Sequence, residues 1–461
     1  MYKIIDWILL NQKLAIIIFL SCITILVGGI YIYTQSLTSS TANTRDSILK
    51  GNSATYQITL WNKDLTVQES EGWNKLISGF QLKGYPAVTI NTVSKKNNIE
   101  FANDFLRNPD DQPDLMLVED YLTPFYQRYS TPVSYFKDNV LADYRENSVD
   151  VIKNNTIISS EVYGVPLSVD NMQMYVNKDL LANLSGVKSP ASDWKTLLSQ
   201  AASFDTQGGR YIATGLGSSK GDINNYQDII GSMLLQKRVA NESFQDRLSI
   251  PDDIGLEVIA LYNSFKPYWN GNSKAIDLFK QGSLLYYFDY YKANSEIKAG
   301  NPTLNYEIFA MPQFPDGTKI THANFNSLLM HKKALNDKKK FSILQDFMFY
   351  LTTEEARKIY AETTKLPSVS RKIAEEQFTK SDGSDNNLRK FYAQALVAKA
   401  IIPYCPVYYV DGFGDILKEL NLLGNGLKKE EYIRAYTDKS QLVKSSLDKQ
   451  NTCFPFRLSD I

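Results

Sequence analysis

Only 2 histidines and 3 cysteines occur in the 461 residues. So few leave no His/Cys spacing of the kind that holds zinc, and they exclude a disulfide scaffold. Neither charge is in excess. Fifty Lys plus Arg balance fifty Asp plus Glu, where a nucleic-acid binder shows a basic surplus. No complete phosphate-binding loop or dinucleotide fingerprint is present. Gly217-Ser218-Ser219-Lys220-Gly221 matches G-x-S-x-G behind a strand-like run. A nucleophile elbow needs a helix at once behind it and a histidine as base, and Asp222-Ile223-Asn224-Asn225 is a poor start for one. The segment reads as a Gly/Ser loop. Paired carboxylates for glycoside cleavage can always be drawn from so many acids, and the sequence singles out no pair. No catalytic residue, metal or cofactor is therefore expected.

What the chain does have is tyrosine, 29 residues within an aromatic content of 12%. Tyrosine offers a flat apolar face with a hydroxyl handle, suited to core edges and to pockets for polar organic molecules. Hydrophobic residues at 43% and charged residues at 22% are ordinary for a globular protein. The length exceeds what one core supports, so two lobes are expected.

Residues 14–33 form a run of twenty without a charge. At about 1.5 Å per residue it reaches roughly 30 Å, the hydrocarbon thickness of a bilayer. Lys3 and Lys13 precede it and no Lys or Arg follows until Arg45. That asymmetry predicts a single-pass anchor in the cytoplasmic membrane, with 1–13 inside and the globular part extracytoplasmic. The alternatives are cleavage near Ser40 and Ala42, or lipidation at Cys22. Residues 34–54 are polar, rich in Ser and Thr, and read as a linker. Cys405 and Cys453 are left as an even pair beyond the membrane. They are either a disulfide, contributing roughly 4 kcal/mol, or two free thiols.

The pattern behind the linker is strand, helix, strand, helix, strand. Strands are expected over 56–61, 87–93 and 115–118, and helices around Trp73, Leu76 and Phe80 and around Phe101 and Phe105. That order is the signature of a parallel sheet, whose ligands bind beyond the carboxyl ends of the strands. Trp61, Asn62 and Asp64 follow the first strand; Glu119, Asp120 and Tyr121 follow the third. These residues should meet along one edge. The pattern then recurs. Strands are expected at 174–176, 211–215, 284–288 and 306–311, and Asp193 should cap a helix from Trp194. A helix through Phe341, Leu344 and Phe347 precedes a capping box at Thr352-x-x-Glu355.

The segment 163–181, from Tyr163-Gly164-Val165-Pro166 through Asp170 and Tyr175 to Asn177-Lys178-Asp179-Leu180-Leu181, closely resembles a crossover of the family 1 extracellular solute-binding proteins of ABC importers. Maltose-binding protein is that family's familiar member. Further resemblances fall in family order: Asp193-Trp194-Lys195-Thr196-Leu197-Leu198, Phe279-Lys280-Gln281-Gly282, Ile308 to Pro312, the stretch from Phe347 to Ala356, and Lys365-Leu366-Pro367. They cover about 56–448. The resemblance implies an α/β, two-lobed type II periplasmic-binding-protein-like fold, with crossovers near 163–169, 306–312 and 366–370. Its lobes would be 55–165 and 306–366 for the first, 166–305 and 367–461 for the second. It also implies a hinge motion that closes on a solute, with ABC permease subunits as partners and a sugar as the favoured ligand. Carried over residue by residue, Trp61, Asp64, Tyr121, Asp170, Tyr226, Tyr290 and Tyr409 would face the ligand. Tryptophan is scarce where sugar binders stack their ligands, which leaves peptides and polyols open. A membrane-tethered sensor or envelope-assembly protein on the same fold is the alternative function.

Overall fold

A computed structural model describes residues 56–399, apart from short internal stretches at 64, 86–87, 134–137, 159, 218–221, 224, 240–251, 270–272, 316–318 and 380–385. The expected anchor, the linker, Asp64, Tyr409, Cys405 and Cys453 lie outside the described residues. Among the described residues, no helix is long and apolar enough to cross a membrane.

Along the chain run β1 (Tyr56–Lys63), β2 (Val88–Lys95), β3 (Leu115–Glu119), β4 (Ser130–Thr131) and β5 (Gly164–Pro166). Then come β6 (Asp170–Asn171), β7 (Gln173–Asn177), β8 (Ile212–Thr214), β9 (Leu284–Asp289), β10 (Tyr306–Ala310), β11 (Ala323–Asn324) and β12 (Asn326–His331). The first sheet has the order β2-β1-β3-β12-β4, with β5 also on β12. β1 is parallel to β2 and β3, and β12 enters antiparallel beside β3. Both faces of this sheet are covered, which is why Leu115 to Val118 is an unbroken apolar run. Ile58, Leu60, Leu115 and Leu117 pack under helices Val67–Leu82 and Lys338–Thr352, while Met116, Val118 and Leu329 face a smaller cluster of Phe101, Phe105, Phe125 and Tyr126.

The second sheet runs β8-β9-β7-β10. Alternation divides its side chains: Met174, Val176 and Phe288 join one core, Tyr175, Tyr287 and Ile308 another. Between the two sheets lies the short antiparallel pair β6–β11.

Several boundaries differ from expectation. β10 pairs with β7 in the second sheet through Ile308↔Tyr175, so 306–310 belongs to the second lobe. The first sheet resumes only at Asn326, and the passage between lobes is the longer stretch 311–325. The strand β7 needs a partner on its outer edge, and β10 supplies it. Beyond 367 the chain does not simply join the second lobe. Val369, Ile373, Ala374, Tyr392 and Ala395 pack into the first lobe's core, while Phe391 packs into the second's. The last crossover lies beside the first: the Val169 N–H donates to the Pro367 carbonyl at 2.9 Å. The cap of helix Glu354–Thr364 is Thr353, whose side chain accepts from the Ala356 N–H, one residue later than the expected Thr352.

Candidate functional site

A cavity of about 520 Å³ opens between the lobes, within the size range of small-molecule sites. Its first-lobe wall holds Lys63 and Glu119 at the carboxyl ends of β1 and β3, Glu69 at the start of helix Val67–Leu82, and Phe325 and Asn326 where β12 begins. Its second-lobe wall holds Asp289 and Tyr290 at the end of β9, with Asn225, Asp228 and Lys292. The crossovers contribute Ser168, Asp170, Asn324 and Leu366.

On the first-lobe wall, Lys63 Nζ donates to Glu119 Oε1 at 2.9 Å, and Asn98 Nδ2 donates to Glu119 Oε2 at 2.7 Å. Glu69 is the reciprocal member of a capping box. Its Oε2 accepts from the Thr66 N–H at 2.9 Å while the Glu69 N–H donates to Thr66 Oγ1 at 3.1 Å. Its other oxygen meets Lys292 Nζ of the opposite lobe at 2.8 Å. Burial pushes the Glu69 carboxyl up, but the Lys292 ammonium and the Thr66 cap outweigh it and hold it below the usual carboxylate range.

Two buried carboxylates form the floor of the second-lobe side. Asp170 accepts from the Tyr291 and Lys292 N–H groups at 2.7 and 3.2 Å, at the start of helix Lys292–Gly300. Burial still pushes its carboxyl up to about 6. Asp289 accepts from Asn225 Nδ2 and from the Tyr290 N–H, each at 2.7 Å, and from the Tyr287 hydroxyl. Burial, with the nearby Asp170 charge adding to it, pushes Asp289 up to about 7. Tyr290 is pinned by its hydroxyl, which donates to Asp228 Oδ2 at 2.9 Å and lies 2.8 Å from His322 Nδ1. With its one proton given to Asp228, the phenol oxygen accepts from His322, which therefore carries its proton on Nδ1. Burial lowers the His322 pKa, in keeping with a neutral ring.

Of the residues singled out from sequence, Glu119, Asp120, Asp170 and Tyr290 line the cavity. Trp61 does not. It is 5% exposed, packs edge-on against Phe101 at 5.6 Å and carries Lys95 Nζ 4.0 Å above its ring. The reason is strand length: β1 continues through Lys63, so Trp61 lies inside the strand, beside Met116, rather than past its end. Tyr226 begins helix Tyr226–Val239 and packs against the second lobe's core. Tyr121 falls in the short turn Asp120–Leu122; its side chain lies outside what is described. Lys63, Glu69, Asp228, Asp289, Lys292 and His322 were not anticipated. Strand-end reasoning applied to the second sheet would have reached Asp289, the last residue of β9. Lys63 likewise ends β1, and Glu69 completes a Thr66-x-x-Glu69 capping box; nothing local marks Asp228, Lys292 or His322.

A family model described as bacterial extracellular solute-binding protein matches residues 102–384. A protein of Brucella abortus (strain 2308) named as a binding protein is 25% identical over 215 residues, 45% of this chain and 51% of its own. The chain thus spans about half the length of the curated relatives it matches. Among solved structures, the cyclic alpha-maltosyl-1,6-maltose binding protein from Arthrobacter globiformis superposes with a TM-score of 0.66 at 15% identity, over 84% of this chain and 98% of that one. The sugar-binding protein MalE from Xanthomonas citri gives 0.64 at 17% identity, over 86% and 98%. These likenesses show the type II periplasmic-binding-protein fold.

Proposed function

The chain belongs to the bacterial extracellular solute-binding proteins, a family of binding proteins rather than enzymes, and from that premise we propose that it is a receptor for a carbohydrate, held in the interlobe cleft. The observation that carries the reading is the lining of the cavity. Carboxylates on both walls accept hydrogen bonds from hydroxyls. Asn225, Asn324 and Asn326 offer both donors and acceptors, and Tyr290 and Phe325 supply aromatic surface for a sugar's apolar face. The similar structures from Arthrobacter globiformis and Xanthomonas citri, a cyclic alpha-maltosyl-1,6-maltose binding protein and a sugar-binding protein, support the same class.

The receptor works outside the cytoplasm and hands its solute to ABC permease subunits. The charge-free run 14–33 tethers it to the membrane, which keeps its concentration near a permease high. A thermal-shift screen of the full chain against oligosaccharides, polyols and peptides tests the reading, because ligand binding raises the unfolding temperature by mass action. A saturable rise with at least one saccharide is expected. A rise confined to peptides would reassign the ligand class.

A further inference from the structure

We propose that the solute carries an ammonium group seated on Asp170 and Asp289, so that the receptor prefers an amino sugar to its neutral counterpart. The proposal rests on the carbohydrate reading of the cleft and narrows it. Among the described residues, six carboxylates and two lysines line the cavity. Both lysines are already engaged by carboxylates, Lys63 by Glu119 at 2.9 Å and Lys292 by Glu69 at 2.8 Å. What is left is a surplus of negative charge, and a recess lined by one sign of charge gathers the opposite sign from solution. Asp170 and Asp289 both stand on the second-lobe side, so their arrangement does not depend on how far the lobes are open.

These two residues are 9% and 7% exposed, yet each accepts only from neutral donors among the described residues. Asp170 accepts from the Tyr291 and Lys292 N–H groups, Asp289 from Asn225, the Tyr290 N–H and the Tyr287 hydroxyl. The segment 289–292 thus supplies one carboxylate and the two N–H groups that grip the other, which sets the two anions side by side. A carboxylate oxygen can accept twice. Both Asp170 oxygens and Asp289 Oδ2 accept once, so three acceptor positions remain for a solute. Buried anions without a counter-ion are costly, and burial has raised both carboxyls above their ordinary range. A hydroxyl can fill an acceptor position but leaves the charge uncompensated. An ammonium brings three donors and the missing charge, in the stronger, charge-assisted kind of hydrogen bond. The rings of Tyr290 and Phe325 in the same wall favour an amine borne on a sugar over a linear amine.

The test is isothermal titration of the full chain near neutral pH with two matched pairs of sugars. One pair is glucosamine and glucose. The other is cellotetraose and the tetramer in which an amine replaces each C2 hydroxyl. In at least one pair the amino sugar should bind about ten- to a hundredfold more tightly than its neutral partner. D170N and D289N should each cut that preference about tenfold. The preference is the decisive readout, because a variant that merely loosens the cleft weakens both members of a pair alike. Either variant suffices if the other folds poorly. Neutral saccharides bound as tightly as amino sugars, or bound alone, would overturn the proposal and leave the receptor reading standing. So would a preference that survives in both variants. Failure of the receptor reading looks different: no saccharide of either kind would bind, and the amine assignment would fall with it.

Discussion

At the scale of single residues, the cleft is held by groups that burial has moved from their ordinary protonation. Asp289 is the sharpest case, pushed up to about 7 by burial and by the Asp170 charge. A carboxyl raised from 3.8 binds its proton more tightly folded than unfolded, so its contribution falls as pH rises from about 4 to about 7. The lowered histidines, His322 and His331, act in the opposite sense over part of that window. The clean readout is therefore a difference. D289N keeps an acceptor for the Tyr290 N–H but loses the titration, so its stability relative to wild type should rise between pH 5 and pH 8, by on the order of 2 kcal/mol. Urea unfolding at the two values checks this, and a constant difference would contradict it. Tyr290 yields a second expectation. Y290F keeps the ring but removes the hydroxyl that bonds Asp228 and His322, and should weaken solute binding roughly tenfold in a calorimetric titration.

At the scale of elements, the same physics explains which parts of the fold were legible. Thr353 rather than Thr352 caps helix Glu354–Thr364, because Thr352 is still the last residue of helix Lys338–Thr352, whereas Thr353 is extended and its hydroxyl accepts from the Ala356 N–H. T353A should cost about 1 kcal/mol and T352A less, as thermal unfolding would show. Gly217 is needed for its shape. Its φ is +89°, and a Cβ there would stand 2.4 Å from the Lys266 nitrogen, so G217A should cost more than about 2 kcal/mol. Strands with alternating or unbroken apolar residues, such as β1, β3, β7 and β9, could be read from periodicity alone. β12 could not, because Leu328-Leu329-Met330 is too short a run to declare itself among loops, yet it lies at the centre of the first sheet. Trp61 was misplaced because β1 runs two residues further than its β-forming composition suggests. The edge partner of β7 was assigned to the wrong lobe because pairing is a tertiary choice. Lys63, Glu69 and Lys292 are ordinary charged residues in sequence; Lys63 pairs with Glu119 inside the first lobe, and only the Glu69–Lys292 contact needs the two lobes to meet.

At the scale of the whole molecule, three passages join the lobes near 167–172, 311–325 and 366–370, and the cavity lies where the strand ends of one lobe face those of the other. This arrangement makes closure on a solute the natural motion of the fold. The central claim is that a saccharide occupies this cleft. Isothermal titration of the full chain with maltotetraose and a panel of other oligosaccharides, run in parallel on wild type and Y290F, tests it most directly. The account predicts saturable one-to-one binding of at least one saccharide, weakened roughly tenfold in Y290F. Absence of saccharide binding, or the same affinity in both proteins, would contradict it.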